Sequence, residues 1–292
     1  MKWREYRTAY LFLLPWLIGL LTFSLFPLLA SFYLSFTSYD MFNKPVWTGL
    51  QNFHYIFTDD TFYKSLKVTF KYVFFSVPME LIFALALALL LSNSMSRAVN
   101  IYRGLYYIPS LIGASVSISL LWRQIFGSEG LVNKFLALFD IHATSWIASP
   151  QTALYTIILL KVWQFGSPMI IYLAGLKQIP KEMYEAAAID GSGRVRSFFH
   201  ITLPLITPFI LFNLIMQIIA TFQAFTPAYI VSGGSGGPVK STLFYTLYLY
   251  QQGFQNYQMG FASAMAWLLM VIIGLFSLLT FWTSKRWVHY ME

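Results

Sequence analysis

Two ionisable side chains stand where water is scarce. Glu80 and Lys161 each lie deep inside a long apolar run. A lone charge at membrane depth is costly, so such residues pair with one another or with polar groups, or they line a route for ions or polar cargo. A second feature is the set Asn213, Gln217, Ala220, Thr221 and Ala224, spaced by four, three, one and three residues. At about 3.6 residues per turn these share one helical face, while Leu211, Ile215, Ile218 and Ile219 occupy the others. Two kinds of chemistry suit this stripe. One is close helix packing, which favours Ala, Thr and Gln between membrane helices. The other is hydrogen bonding to hydroxyl groups in a pore, where Phe222 and Phe225 would add stacking, although Phe in a membrane helix is more often lipid-facing.

Other chemistry is poorly supplied. His54, His142, His200 and His289 are dispersed in loops or near ends and have no metal-ligand spacing. No Ser-His-Asp arrangement stands out. There is no Cys, which excludes disulfides and thiolate metal sites. The run Gly233–Ser241 ends in Lys240 and Ser241, but that Lys does not follow a Gly, so it is not the phosphate-cradling P-loop. Neither enzymatic chemistry nor a cofactor is expected in the chain itself.

The elements that position these residues must be membrane helices. Of 292 residues, 58% are hydrophobic and 10% are charged, against about 25% charged in soluble domains. A soluble fold of this size cannot hide so much apolar surface, because much of any fold faces water. A bilayer removes the difficulty by being the solvent. An aromatic share of 19% fits, since Trp and Tyr gather at membrane interfaces. The formal net charge of +8 is scattered between apolar runs, so it reads as topology and anionic lipid, with no nucleic-acid partner.

A crossing helix needs about 20 apolar residues. Six runs qualify: Ala9–Phe36, Val68–Leu91, Ile101–Phe126, Thr152–Leu176, Leu205–Thr226 and Gly260–Trp282. They are too long, and too little alternating, for barrel strands. Lys2, Arg4 and Arg7 precede the first run as in a signal peptide, but that run exceeds a signal's apolar core, so it reads as a retained helix. With the N-terminus cytoplasmic, the inside segments carry Lys2, Arg4, Arg7, Arg97, Arg103, Lys177, Lys181, Arg194, Arg196, Lys285 and Arg286. The outside segments carry Lys44, Lys64, Lys67, Lys71, Arg123, Lys134 and Lys240. The excess of inside Lys and Arg places both termini in the cytoplasm. The outside segments, Thr37–Lys67, Gly127–Gln151 and Pro227–Met259, read as loops at turn-rich stretches such as Ser232–Pro238. Their short apolar patches suit the membrane surface. No internal repeat is convincing, and residues 1–292 read as a single transmembrane domain.

Between the fourth and fifth runs, Lys177–Pro204 is too organised for a plain connector. Pro180 suits a helix start, with Lys181 and Glu182 in its first turn. Met183, Ala186, Ala187 and Asp190 follow helical spacing, and Glu185 lies on an adjoining face. Gly191 and Gly193 can end that helix. A second short helix follows from about Arg194 to Ile201, with Pro204 turning the chain into the next span. Physics alone leaves open whether this pair anchors the loop at the interface or docks a partner.

The same residues resemble a known family. Glu185-Ala186-Ala187, Gly191, Ile201 and Leu203-Pro204 match, in residue and spacing, the EAA loop that marks the membrane subunits of binding-protein-dependent ABC importers. Trp122 with Gly130-Leu131-Val132-Asn133, and Trp163 with Gly166 and Pro168, are similar to the carbohydrate-type permeases. So are Gly236-Gly237-Pro238, Thr242, Tyr250, Phe254, Gly260, Ala262, Ser263 and Ala264. The nearest subgroup is the first permease of the maltose and glycerol-phosphate systems, without the extra N-terminal helices and large periplasmic insertion of the maltose member.

The resemblance implies an all-α integral membrane protein of six transmembrane helices, with a cytoplasmic coupling-helix (EAA) loop at about 177–204 between helices 4 and 5. It implies an importer, in a bacterial cytoplasmic membrane, that takes a sugar or oligosaccharide from an extracytoplasmic solute-binding protein by alternating access. The partners would be a second homologous permease and two ATP-binding subunits, which hold the ATP and Mg. Glu185, Ala186, Ala187, Asp190 and Gly191 would form the ATPase-coupling joint, with Glu185 in contact and Gly191 allowing the turn. The substrate path would run along Asn213, Gln217, Ala220, Thr221 and Ala224, with Lys161 and Gly166 beside it. An ion-gradient-driven secondary transporter is the alternative. It accounts for six spans and two buried charges but not for the EAA spacing, and it lacks the usual internal repeat.

Overall fold

The computed structural model describes residues 2–92, 99–113, 115–141 and 145–289. Arg97 and His142 lie outside the described residues. Helix dominates, and the only strands among the described residues are Thr37–Ser38 and Val46–Trp47, paired antiparallel.

Among the described residues, three helices are long and apolar enough to cross a membrane: Tyr10–Ser35, Asp60–Ser92 and Met259–Ser284. Three more candidates are bent pairs. Ile101–Ile112 is followed by Val116–Ile125, Ala153–Trp163 by Gly166–Leu176 at 41°, and Arg194–Leu205 by Thr207–Phe222 at 62°. The third, fourth and fifth expected runs are therefore interrupted.

The last break has a clear local cause. Pro208 has no N–H to give the Pro204 carbonyl one turn back. The Thr207 hydroxyl takes that acceptor instead, at 2.6 Å. The turn expected at Pro204 falls at Ile206, and Pro204 stays inside the short Leu203–Leu205 helix. The second run also begins earlier than hydropathy suggests, at Asp60 rather than Val68. Its first turns are amphipathic: Phe62, Ser65, Val68 and Thr69 are buried while Lys64, Lys67 and Lys71 are exposed, so hydropathy alone trims them away.

Contacts divide the chain into two compact units, residues 1–60 with 249–271 and residues 61–248 with 272–292. In the first unit, the Asn52 amide donates to the Ser35 and Thr37 carbonyls, each at 2.9 Å, and ties the strand hairpin to the end of the first long helix. Phe36 stacks on Trp47 at 5.6 Å. The Asp40 carboxylate accepts the Asn43 N–H at 2.8 Å, which holds its pKa below the usual carboxylate range.

In the second unit the core gathers on the Asp60–Ser92 helix. Tyr72 meets Phe244 at 4.5 Å, Phe62 meets Tyr245 at 5.7 Å, and the Thr69 hydroxyl accepts the Tyr245 N–H at 2.8 Å. The aromatic patch near Tyr245, inside the outside segment Pro227–Met259, is core, because its rings find partners on that helix. Phe222 is likewise buried, at 5.4 Å from Phe70 and 5.5 Å from Phe276, so it neither stacks on cargo nor faces lipid. Many other large apolar side chains point outward, among them Phe74, Leu90, Leu121 and Leu278, as expected where hydrocarbon is the solvent.

Candidate functional site

The two ionisable residues inside apolar runs meet. The Lys161 ammonium, near the end of the Ala153–Trp163 helix, lies 3.2 Å from Glu80 Oε1 and 3.1 Å from Glu80 Oε2. Only Oε1 is in hydrogen-bonding geometry, and Oε2 is reached by charge alone. Lys161 also donates to Gln217 Oε1 at 2.7 Å. One cation thus ties the Asp60–Ser92, Ala153–Trp163 and Thr207–Phe222 helices. Glu80 is buried to 1% exposure and the Lys161 side chain keeps 14%, so of the two it is Lys161 that touches solvent-accessible space.

The polar stripe is only partly a single face. Asn213 is buried and donates to the Pro168 carbonyl at 3.3 Å. Gln217 is half-buried on Lys161, and Ala220 is exposed. Thr221 is buried, and its hydroxyl has no hydrogen-bond partner among the described residues. Ala224 lies beyond the helix, which ends at Phe222, and its carbonyl accepts the Thr246 hydroxyl. The stripe is therefore part packing surface and part accessible surface.

Gly166 is a packing position. A Cβ there would run into the Tyr106 carbonyl oxygen and come within 2.7 Å of Tyr107 Cα and 2.8 Å of Ser110 Oγ. Ser110 spans the break in the fourth run: its hydroxyl donates to the Gln164 carbonyl at 2.8 Å and accepts the Ser167 N–H at 2.9 Å. Nothing in the sequence singled out Ser110. Before the break, on the Ala153–Trp163 helix, the Thr156 carbonyl accepts the Trp122 indole N–H at 2.8 Å, and the Trp122 ring lies 5.9 Å from that of Trp163. The Trp146 indole donates to Asn133 at 2.8 Å, which anchors the start of the Leu131–Ala137 helix that Gly130 caps.

The segment after the fourth run forms two helical pieces. Pro180 precedes the Lys181–Ile189 helix. That helix closes with the Ser192 N–H on the Ala187 carbonyl at 2.8 Å and the Gly191 N–H on the Ala188 carbonyl at 3.1 Å. This is the Schellman pattern, which needs a left-handed residue after the cap, and Gly191 supplies it at φ +75°. Gly193 does not end this helix. It caps the next one, Arg194–Ser197, which continues through a π turn at Phe198–Thr202. The Tyr184 hydroxyl meets that of Thr202 at 2.8 Å and pins the two pieces together. Glu185, Ala186, Asp190 and Gly191 are exposed and Ala187 is half-buried. Ile189 and Val195 are 88% and 72% exposed. They flank the turn and escaped the sequence reading, although two bulky aliphatic residues in a polar connector were a signal.

Broken apolar helices around an internal ion pair, with an exposed apolar-tipped turn outside them, define a polytopic membrane protein built for transport. The chain belongs to the family of binding-protein-dependent transport system inner membrane components, whose profile matches residues 8–288. It is 53% identical over 284 residues to the probable ABC transporter permease protein YesP of Bacillus subtilis (strain 168), covering 97% of this chain and 92% of that one. It is 32% identical to the arabinooligosaccharides transport system permease protein AraP of the same organism, covering 93% and 86%. The fold also matches a chain of a bacterial alginate ABC transporter in complex with alginate pentasaccharide-bound periplasmic protein, with a TM-score of 0.83, 22% identity and coverage of 97% and 96%. The chain is therefore the permease part of an ABC importer, and the ion-gradient alternative falls away. As a permease it is not the ATP-hydrolysing subunit.

Proposed function

We propose that this chain forms half of the pore of an importer that carries a sugar or oligosaccharide into the cytoplasm. The observation that carries the reading is the exposed Lys181–Ile189 helix with its glycine-closed turn, which carries the residues that resemble the importer family's EAA sequence. The AraP relative, a permease for arabinooligosaccharides by name, supports the cargo class. The three long helices and three bent pairs count as six spans of one domain over residues 1–292, with both termini cytoplasmic and the EAA loop at about 177–204.

In this reading a second, related permease completes the pore. Two ATP-binding subunits hold ATP and Mg and dock on Glu185, Ala186, Ala187, Asp190 and Gly191. An extracytoplasmic binding protein delivers the cargo, as in the alginate transporter whose structure includes a periplasmic protein. The cargo passes along the face of Gln217 and Ala220, with Asn213 and Thr221 behind it, Ala224 beyond the helix end, and Lys161 and Gly166 contributed by the broken fourth span.

Uptake by the reconstituted complex tests this. The chain is purified with its co-assembling subunits and placed in liposomes, with binding protein and labelled oligosaccharides outside and ATP inside. Accumulation that needs internal ATP and is lost on replacing Glu185 and Gly191 together is the expected result. Accumulation driven by an ion gradient without ATP would overturn the reading.

A further inference from the structure

A cavity of about 850 Å³ lies between the coupling segment and the ends of the Asp60–Ser92 and Gly166–Leu176 helices. Its lining is one-sided in charge. Lys177, Lys181 and Arg194 border it, and no carboxylate does among the described residues. None of the three cations is in an ion pair among the described residues. Hydroxyls line it as well: Tyr184 with Thr202 at 2.8 Å, and Ser192 with Ser197 at 3.3 Å. Ser197 also donates to the Gly193 carbonyl at 3.2 Å, whereas the Tyr184–Thr202 pair uses one of its two protons and leaves the other for a ligand. Leu89, Leu176 and buried Ile179 give it an apolar wall.

We infer that this cavity binds a phosphate-bearing anion, and that the bound anion props the coupling turn against the membrane helices. A phosphate offers several acceptor oxygens and one or two negative charges, which matches three unpaired cations beside hydroxyl groups. A basic pocket at the cytoplasmic ends of membrane helices, with an apolar wall, also suits an anionic phospholipid, whose headgroup meets the cations while its chains reach hydrocarbon. The free ester of the same headgroup shares the phosphate chemistry but not the chains. The site's placement rests on the coupling reading given above. Its charge asymmetry and shape do not.

The test uses the assembled transporter in phosphatidylcholine nanodiscs. Binding of short-chain phosphatidylglycerol and of glycerol 3-phosphate is titrated at low and moderate salt. Each cation near a membrane surface adds about five-fold to the binding of an anion, so Lys177→Gln/Arg194→Gln should weaken binding roughly 25-fold, and Lys177→Arg/Arg194→Lys should restore most of it. Tight binding of the lipid alone assigns the site to membrane phospholipid. Comparable binding of both assigns it to a soluble phosphate ester. Binding of neither, or binding indifferent to the Gln exchanges, overturns the inference. Uptake by Glu185 and Gly191 variants, measured in parallel, separates the two claims: normal uptake there with charge-dependent binding here would sink the coupling reading and keep the phosphate site.

Discussion

Lys161 and Glu80 stand 81 residues apart in the sequence and face each other across 3.1 Å. A buried pair like this is weak support for stability as such, because desolvation offsets most of the attraction. Breaking it is a different matter, since it strands a charge. Lys161→Met should therefore cost about 3–5 kcal/mol, seen as a lower midpoint of thermal unfolding and a lower yield of the assembled complex. Glu80→Leu together with Lys161→Met should recover most of the loss. A single exchange as stable as the parent would mean that the pair is not formed in the working protein.

The pairing also bears on cargo charge. If Glu80 neutralises Lys161, the pair brings no net charge to the proposed cargo path. Neutral and uronic oligosaccharides of equal length should respond alike to the Glu80→Gln/Lys161→Gln exchange when uptake is compared in liposomes. A change in their ratio beyond about five-fold, equivalent to about 1 kcal/mol, would instead place the ammonium against the cargo.

Glycines at two positions serve different ends, and alanine tells them apart. At Gly166 a Cβ meets backbone of the Ile101–Ile112 helix, which cannot swing aside as a side-chain tip can. Gly166→Ala should destabilise by about 1–3 kcal/mol, measured on the purified complex. At Gly175 the obstruction is the Phe209 ring, at 2.5 Å. Side-chain adjustment is available there, so the loss should be smaller.

The exposed turn should tolerate change in folding but not in coupling. Ile189 reaches into space at 88% exposure, so Ile189→Asp costs the subunit little. In the proposed complex it puts a charge into an apolar contact. Uptake should fall at least about ten-fold while insertion and assembly stay normal, and ATP hydrolysis should lose its dependence on binding protein. Gly191→Val should do the same. Uptake within about two-fold of the parent for both variants would remove this turn from the coupling path.

Much of this was legible in the sequence. Apolar runs announce themselves by length, and the glycine that closes the Lys181–Ile189 helix stands at a spacing that a Schellman turn explains. The breaks were not legible. Hydropathy is blind to a bend, and Pro208 disrupts the fifth run only because Thr207 can relieve the carbonyl that it orphans. The early start at Asp60 was hidden by Lys64, Lys67 and Lys71, whose long side chains sit on the exposed face of an otherwise buried turn. The stripe from Asn213 to Ala224 had the right period for one face, but the helix stops at Phe222, and periodicity does not reveal where a helix ends without a cap signal. That Glu80 and Lys161 would pair was a fair reading of cost. That Gln217 would be the third partner depends on how three helices cross, which no single run encodes.

Gly191 has open space around its Cα and a backbone at φ +75°. The turn therefore asks for a hand and not for a size. A left-handed backbone costs an ordinary L-residue about 1–2 kcal/mol, and the cost comes from chirality alone. Its mirror-image counterpart, D-alanine, would sit there without strain. A protein carrying D-alanine at 191 would keep a methyl group and keep the turn, whereas L-alanine would keep the methyl group and resist it. The proposed joint between motor and pore would then be distinguished by stereochemistry, with bulk held constant.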